Sequence, residues 1–495
     1  MAVKHNGNHS ATEFHPPETS HRWHVLGAVE IGNFLVYMDS FVVTLALPWM
    51  MREFEVPVTS VKWVVVAYLL PLTIMVLTAG RIADMVGLRR PVTLAGMILL
   101  TMGSGLCFIA PTFGALVAFR VVQGLGGALV LCTVMSSITY VFPAEQRTLA
   151  MSINASVLAL GQVTGLVLGG FLIGRCGWRP VFLLIAAFSM VSTVLLFFLK
   201  SQPTHVMEKR NGSFDWAGSI FSILGIGALF MGFDRLGENL NSSLGYALIP
   251  AGLILMIVFV FIERSARTPL LDPSLFRSRV FVFGSSAAGM YFIAAVACYF
   301  MMPFYLQVAM GHSPLKAGIL MVPMSLALTG SSFLTSRLAH RFTPFSLSTA
   351  GMFLVFASMV CFSTLTANSN WSHVALGLVL LGAGGGLFHP STNSSVLSSA
   401  PAGSLSTANG YLSTTRTMGQ VIGAALAAQL LRGGLDQAGL LENLGGPLDP
   451  STLAGNLSAY THAQTRAFRV AAVVAAAGIL ISMLRGRGKC KPGNP

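Results

Sequence analysis

Stretches of about twenty apolar residues recur about fourteen times along the chain, and no other feature leaves it so few ways to fold. They fall near residues 25–50, 61–79, 92–110, 113–137, 149–173, 181–199, 214–233, 244–262, 280–306, 315–336, 345–365, 371–390, 407–431 and 467–484. Each is long enough to cross a bilayer's hydrocarbon core. No water pairs the backbone there, so each run must close its own hydrogen bonds as a helix. Only 9% of the residues are charged and 54% are hydrophobic, where a soluble domain carries roughly 25% charged residues. The chain therefore reads as one all-α integral membrane unit.

The net charge of +13 would fit a nucleic-acid binder, but its placement argues for topology instead. With the N-terminus inside, nineteen Lys and Arg fall on cytoplasmic segments and nine on external ones, leaving Arg120 and Arg416 within spans. That is the positive-inside bias of a multi-pass protein. It implies a cell-membrane location, both termini in the cytoplasm and no nucleic-acid partner. Five histidines before residue 25 are irregularly spaced, and the six cysteines lack C-x-x-C or zinc spacing. No metal site or disulfide framework is expected.

Connectors are mostly short. The hairpin at 80–91 holds Gly80, Gly87, Arg81, Arg89 and Arg90 around one acid, Asp84. Longer connectors fall at 200–213, 263–279 and, before the last span, 433–466; the first two divide the spans into six, two and six. The layout predicts a cytoplasmic tail at 1–22, a six-helix bundle at 23–200 and an inserted helix pair with its loops at 201–279. A second six-helix bundle at 280–485 and a tail at 486–495 complete it. Arg81-Ile82-Ala83-Asp84 and Arg337-Leu338-Ala339-His340 recur after the second and tenth spans. Two related halves with a site between them are a known transporter plan.

Ionisable groups inside hydrocarbon are costly, and their default reading is functional. Asp39 lies midway along the first span with Glu30 nine residues before it, Arg120 is in the fourth span and Arg416 in the thirteenth. Nine residues of straight helix turn about 180° and rise about 13.5 Å, so Asp39 and Glu30 face opposite ways. Asp39, flanked by Tyr37, Met38 and Ser40, is the candidate proton carrier. Glu30 is either a second titrating site or a structural partner of Arg120 or a backbone donor. Arg120 would hold Asp39 ionised while the two are near and let it take a proton when they separate. Tyr37, Asn33, Tyr68, Gln123, Tyr291, Tyr299 and Arg416 are the polar and aromatic candidates for substrate contact. Gly161, Gly165, Gly169 and Gly170 give the fifth span a smooth face for close helix packing. A phosphate loop is excluded there, because no strand precedes it and no Lys follows.

Together these segments resemble the major facilitator superfamily, in its fourteen-helix drug:proton antiporter branch. Met38-Asp39-Ser40-Phe41-Val42-Val43-Thr44-Leu45-Ala46-Leu47-Pro48 is similar to that branch's first-helix signature, with Phe41 where Thr is usual. Gly80, Ala83, Asp84, Gly87, Arg89 and Arg90 match the hairpin motif G-x-L-A-D-R-x-G-R-K, with Met85 and Leu88 in place of basic residues. Leu116, Arg120, Gln123, Gly124, Gly126 and Ala128 match the fourth-helix motif. Gly161, Gly165, Gly169 and Gly170 match the antiporter motif, with Leu166 where the family has Pro. The resemblance implies a major facilitator fold of two six-helix bundles plus an inserted pair. It also implies a gate at Gly80, Asp84, Gly87, Arg89 and Arg90, and proton coupling through Arg120.

The reading is a proton-coupled transporter that exports hydrophobic or amphipathic compounds by alternating access. Its partners are a small-molecule substrate, protons and the bilayer; it needs no cofactor and works as a monomer. The alternatives are proton-linked uptake or uniport of a small metabolite, which Leu166 and the acid-free second half fit, and a non-transporting receptor. An enzyme is not expected, because no catalytic constellation is evident.

Overall fold

Helices form where the apolar runs stand. The computed structural model describes residues 19–86, 89–142, 144–198, 216–238, 242–265, 273–339, 341–366, 369–400, 405–437 and 457–485. They build α1 (Thr19–Glu53), α2 (Val58–Val86), α3 (Arg89–Phe108), α4 (Phe113–Val141), α5 (Ala144–Cys176), α6 (Arg179–Phe198) and α7 (Trp216–Glu238). These are followed by α8 (Ser243–Ser265), α9 (Arg279–Phe304), α10 (Pro314–Leu338), α11 (Pro344–Phe362), α12 (Trp371–Ser398), α13 (Leu405–Gln437) and α14 (Leu457–Leu484). Thirteen are long and apolar enough to cross a membrane. The exception, α13, carries Ser413, Thr414, Thr415, Arg416, Thr417 and Gln420 in succession, and it packs against α2, α9 and α14.

Several helices run past their apolar stretches. Most of the hairpin expected at 80–91 is helical, because α2 continues through Gly80 to Val86 and α3 starts at Arg89. A helix that supplies its own backbone partners has no need to stop where the hydrocarbon stops. Likewise α14 begins at Leu457 and α13 reaches Gln437, so both ends of the connector expected at 433–466 are helical; 438–456 lie outside the described residues. Starts are sharp where chemistry fixes them. Ser313 and Thr343 cap α10 and α11 through the backbone N–H of Lys316 and Ser346, and Pro314 and Pro344 sit in the first turn.

Helices α1–α6 pack among themselves, principally α1 on α5, α4 on α2 and α3, and α3 on α6. A second group pairs α12 with α10 and α11, and α9 with α13 and α14. The groups meet along two seams, α2 against α13 and α5 against α10, while α7 and α8 pack on each other and α7 reaches α2 and α13.

At the end of the bundle where α1 finishes and α10 begins, here called the distal end, the described residues make several contacts across and beside these seams. The Gln307 amide, on a π-helical turn at Tyr305–Ala309, donates to the Leu45 carbonyl at 3.0 Å. A Cβ on Gly318 would come within 2.0 Å of the Leu166 carbonyl oxygen, so α5 and α10 touch backbone to backbone. Phe41 and Tyr299 meet edge to face at 5.2 Å. Lys62 of α2 forms a buried ion pair with Asp234 of α7, and the Asp234 carbonyl accepts from Gln429 of α13 at 3.3 Å.

Candidate functional site

The glycines of α5 set where Asp39 points. Added Cβ atoms on Gly161 and Gly165 would lie 2.8 and 2.7 Å from the Phe34 and Met38 carbonyl oxygens, and one on Gly169 would strike Val42. This glycine strip seats one face of α1 against α5 and turns Asp39 toward α4. Glycines on α4 complete the arrangement. Gly124 lies against the Tyr68 backbone of α2 and Gly126 against Leu100 and Gly96 of α3, so the turn bearing Arg120 and Gln123 reaches three helices at once.

There Arg120 Nη1 donates to Asp39 Oδ2 at 2.7 Å and to Gln123 Oε1 at 2.7 Å. Its Nε donates to the Val64 carbonyl at 2.9 Å. Gln123 Nε2 reaches Asp39 Oδ1 at 3.2 Å and Ser104 Oγ at 2.8 Å. The Tyr68 ring lies under the guanidinium, 4.3 Å from its carbon. Asp39 and Gln123 are 0% exposed and Arg120 is 1% exposed, so bulk water does not touch this pair in the present conformation. Both carboxylate oxygens are occupied, one by a cation and one by an amide. This is the arrangement a buried charge requires.

Glu30 is held separately. Its oxygens accept from Asn33 at 3.0 Å and from Asn154 of α5 at 2.8 Å. It does not meet Arg120, which is committed to Asp39, so amide donors fill the place left open for a partner. Glu30 borders a groove of about 570 Å³ between α1, α5 and α6, walled by Trp23, Phe34, Ile153, Phe188 and Leu195.

The residues expected at the substrate divide into three sets. Asn33 and Gln123 are engaged inside the two carboxylate networks, and Tyr68 supports Arg120. Tyr291 stacks parallel on Phe388 at 5.0 Å within the second half. Tyr37, Tyr299 and Arg416 come to the seam: Tyr299 meets Phe41, and Arg416 lies within electrostatic reach of Tyr37 and of His389 on α12. The gate residues Gly80, Asp84, Gly87, Arg89 and Arg90 lie outside the described residues, as backbone for Gly87 and as side chains for the rest. Ser104, Asn154, His389 and the Lys62–Asp234 pair went unread in the sequence. Each is a polar residue within or at the edge of an apolar run, a signal applied there only to the four deepest charges.

Comparison with known proteins agrees with this architecture. A riboflavin transporter, RibZ of Clostridioides difficile (strain 630), is 26% identical over 469 residues, covering 93% of this chain and 97% of that protein. Multidrug resistance protein Stp of Mycobacterium tuberculosis (strain ATCC 25618 / H37Rv) is 27% identical over 406 residues, 82% of this chain and 75% of Stp. Among solved structures, a bacterial homologue of the human lysosomal transporter Spinster, inward-facing and unoccupied, superposes with a TM-score of 0.66 at 17% identity. The match covers 94% of this chain and 97% of that one. The sequence profile of the Major Facilitator Superfamily matches residues 29–424, and the chain belongs to that superfamily of multi-pass membrane transporters.

Proposed function

We propose that this transporter is a proton-coupled exporter of hydrophobic or amphipathic compounds, resident in the cell membrane with both termini in the cytoplasm and active as a monomer. The observation that carries the reading is the buried Asp39–Arg120–Gln123 cluster between α1, α2, α3 and α4. A proton placed on Asp39 removes the charge that holds Arg120, and α1 and α4 then have less reason to stay in register. Alternating access couples to protons if the substrate-bearing seam and this cluster favour the same conformation. The relative named multidrug resistance protein Stp supports the export direction.

A second reading, uptake of a small metabolite, is favoured by the relative named riboflavin transporter, which matches nearly end to end. Direction separates the two. In energised inside-out vesicles an exporter accumulates an amphipathic dye in the acid lumen, and nigericin abolishes the accumulation. Accumulation confined to right-side-out vesicles would sink the export reading and leave uptake.

A further inference from the structure

We infer that the seam carries an anion subsite centred on Arg416, and that the preferred substrate is an amphipathic organic anion with a planar two-oxygen acceptor, such as a carboxylate on an aromatic body. The inference rests on the transport reading above but not on its direction or its coupling. Arg416 Nε and Nη2 are both buried and neither has a hydrogen-bond partner. These two nitrogens form one edge of the guanidinium fork, the edge that meets a carboxylate with two parallel hydrogen bonds.

Among the described residues, no acidic group is paired with Arg416 to supply that counter-charge. From Pro273 to Leu435 the sequence contains no Asp or Glu at all. In the first half, Asp39 is taken by Arg120 and Gln123, and Glu30 by two asparagine amides. The described ion pairs are Lys62–Asp234, Arg120–Asp39 and Arg179–Glu53, and none includes Arg416. A desolvated cation is costly unless it is paired, so the site favours a ligand that brings a negative charge with it.

The surroundings define the rest of the ligand. Tyr37 of α1 and His389 of α12 lie within electrostatic reach of Arg416. The His389 ring lies 4.6 Å edge-on to Tyr291 and 5.2 Å from Phe292. Asn393, one helical turn beyond His389 on the same face, holds a buried side-chain oxygen without a partner. It is an acceptor on the helix face that carries His389, and it suits a donor on the ligand's ring system. A lipophilic cation would meet Arg416 with like charge.

The test is equilibrium binding to the full-length protein in nanodiscs, followed by fluorescence with three dyes on one scaffold: dansylglycine (anion), dansylglycinamide (neutral) and dansylcadaverine (cation). Dansylglycine should bind about tenfold or more tightly than its amide, the range of a charge-assisted hydrogen-bonded contact. In Arg416→Gln that preference should vanish while the amide's affinity stays within about twofold, and Arg416→Lys should retain part of it. Equal or tighter binding of the amide or the cation by wild type would overturn the anion subsite and leave the transport reading standing. Retention of the preference in Arg416→Gln would also overturn it. Binding of none of the three would remove the amphipathic-substrate reading and this inference with it. If Arg416→Gln does not fold, as judged by its melting profile, the wild-type series and Arg416→Lys still decide.

Discussion

Asp39 and Arg120 satisfy one another so fully that removing either alone leaves a buried charge or a buried fork of donors. Truncating one member of such a pair costs about 3–5 kcal/mol, whereas replacing both with apolar residues of similar size is often near neutral. Arg120→Leu and Asp39→Leu should therefore each lower the thermal stability of the purified protein clearly. The double variant should recover most of the loss. A double variant that melts no higher than the worse single one would show that the two side chains do not depend on each other. Gln123→Leu removes one acceptor for Arg120 and one donor to Asp39, and its cost should fall nearer 1–3 kcal/mol. The pairing of Asp39 with Arg120 was legible in the sequence because charges so deep in apolar runs are scarce and must find each other. The fate of Glu30 was not. Two asparagines at 33 and 154 hold it, and a neutral amide gives no sign in the sequence of which carboxylate it will meet.

At the scale of helices, the contact between α5 and α10 rests on an absent side chain. A Cβ on Gly318 would sit 2.0 Å from the Leu166 carbonyl oxygen, and backbone cannot move aside as a side chain can. Gly318→Ala should therefore disfavour the distal-closed arrangement more than it disfavours folding. Double electron–electron resonance between spin labels on the distal ends of α5 and α10 should report longer distances than in the parent. An unchanged distribution would contradict the packing argument. The Lys62–Asp234 pair fastens the inserted helices to α2, so Asp234→Ala should loosen α7 and leave Lys62 buried. Proteolysis of the segments flanking α7 should then proceed severalfold faster. Spans were readable because about twenty apolar residues in lipid have one backbone solution. Their ends were not, since α2 and α14 run on into polar sequence that hydropathy does not score. The π-helical turn at Tyr305–Ala309 was also invisible. It brings Gln307 to Leu45, and Pro303 just before it marks a break in the helix ladder without fixing the form the break takes.

Across the whole molecule, the described closures lie at the distal end: Gln307 on Leu45, Gly318 on Leu166, and Lys62 on Asp234. With the N-terminus in the cytoplasm, as proposed above, that end would be external. Cys176 is an exposed free thiol at the distal end of α5 and provides a direct check. A membrane-impermeant maleimide added to intact cells should label the protein, and Cys176→Ser should abolish the labelling. Labelling that persists in Cys176→Ser and is removed by Cys490→Ser would reverse the orientation. The all-helical membrane architecture was legible from the apolar runs, whereas the seams α2/α13 and α5/α10 were not, because antiparallel neighbours in sequence say nothing of which distant helices meet. The account as a whole depends on protons moving through Asp39. Proteoliposomes holding the purified protein, a trapped pH dye and an amphipathic solute measure this directly, by recording solute flux and proton flux together under an imposed pH gradient. Wild type should move the two in opposite directions, and Asp39→Asn should still exchange solute at equal concentrations while losing both uphill accumulation and the linked proton flux. Uphill accumulation at the wild-type rate by Asp39→Asn, with its proton flux intact, would contradict the account.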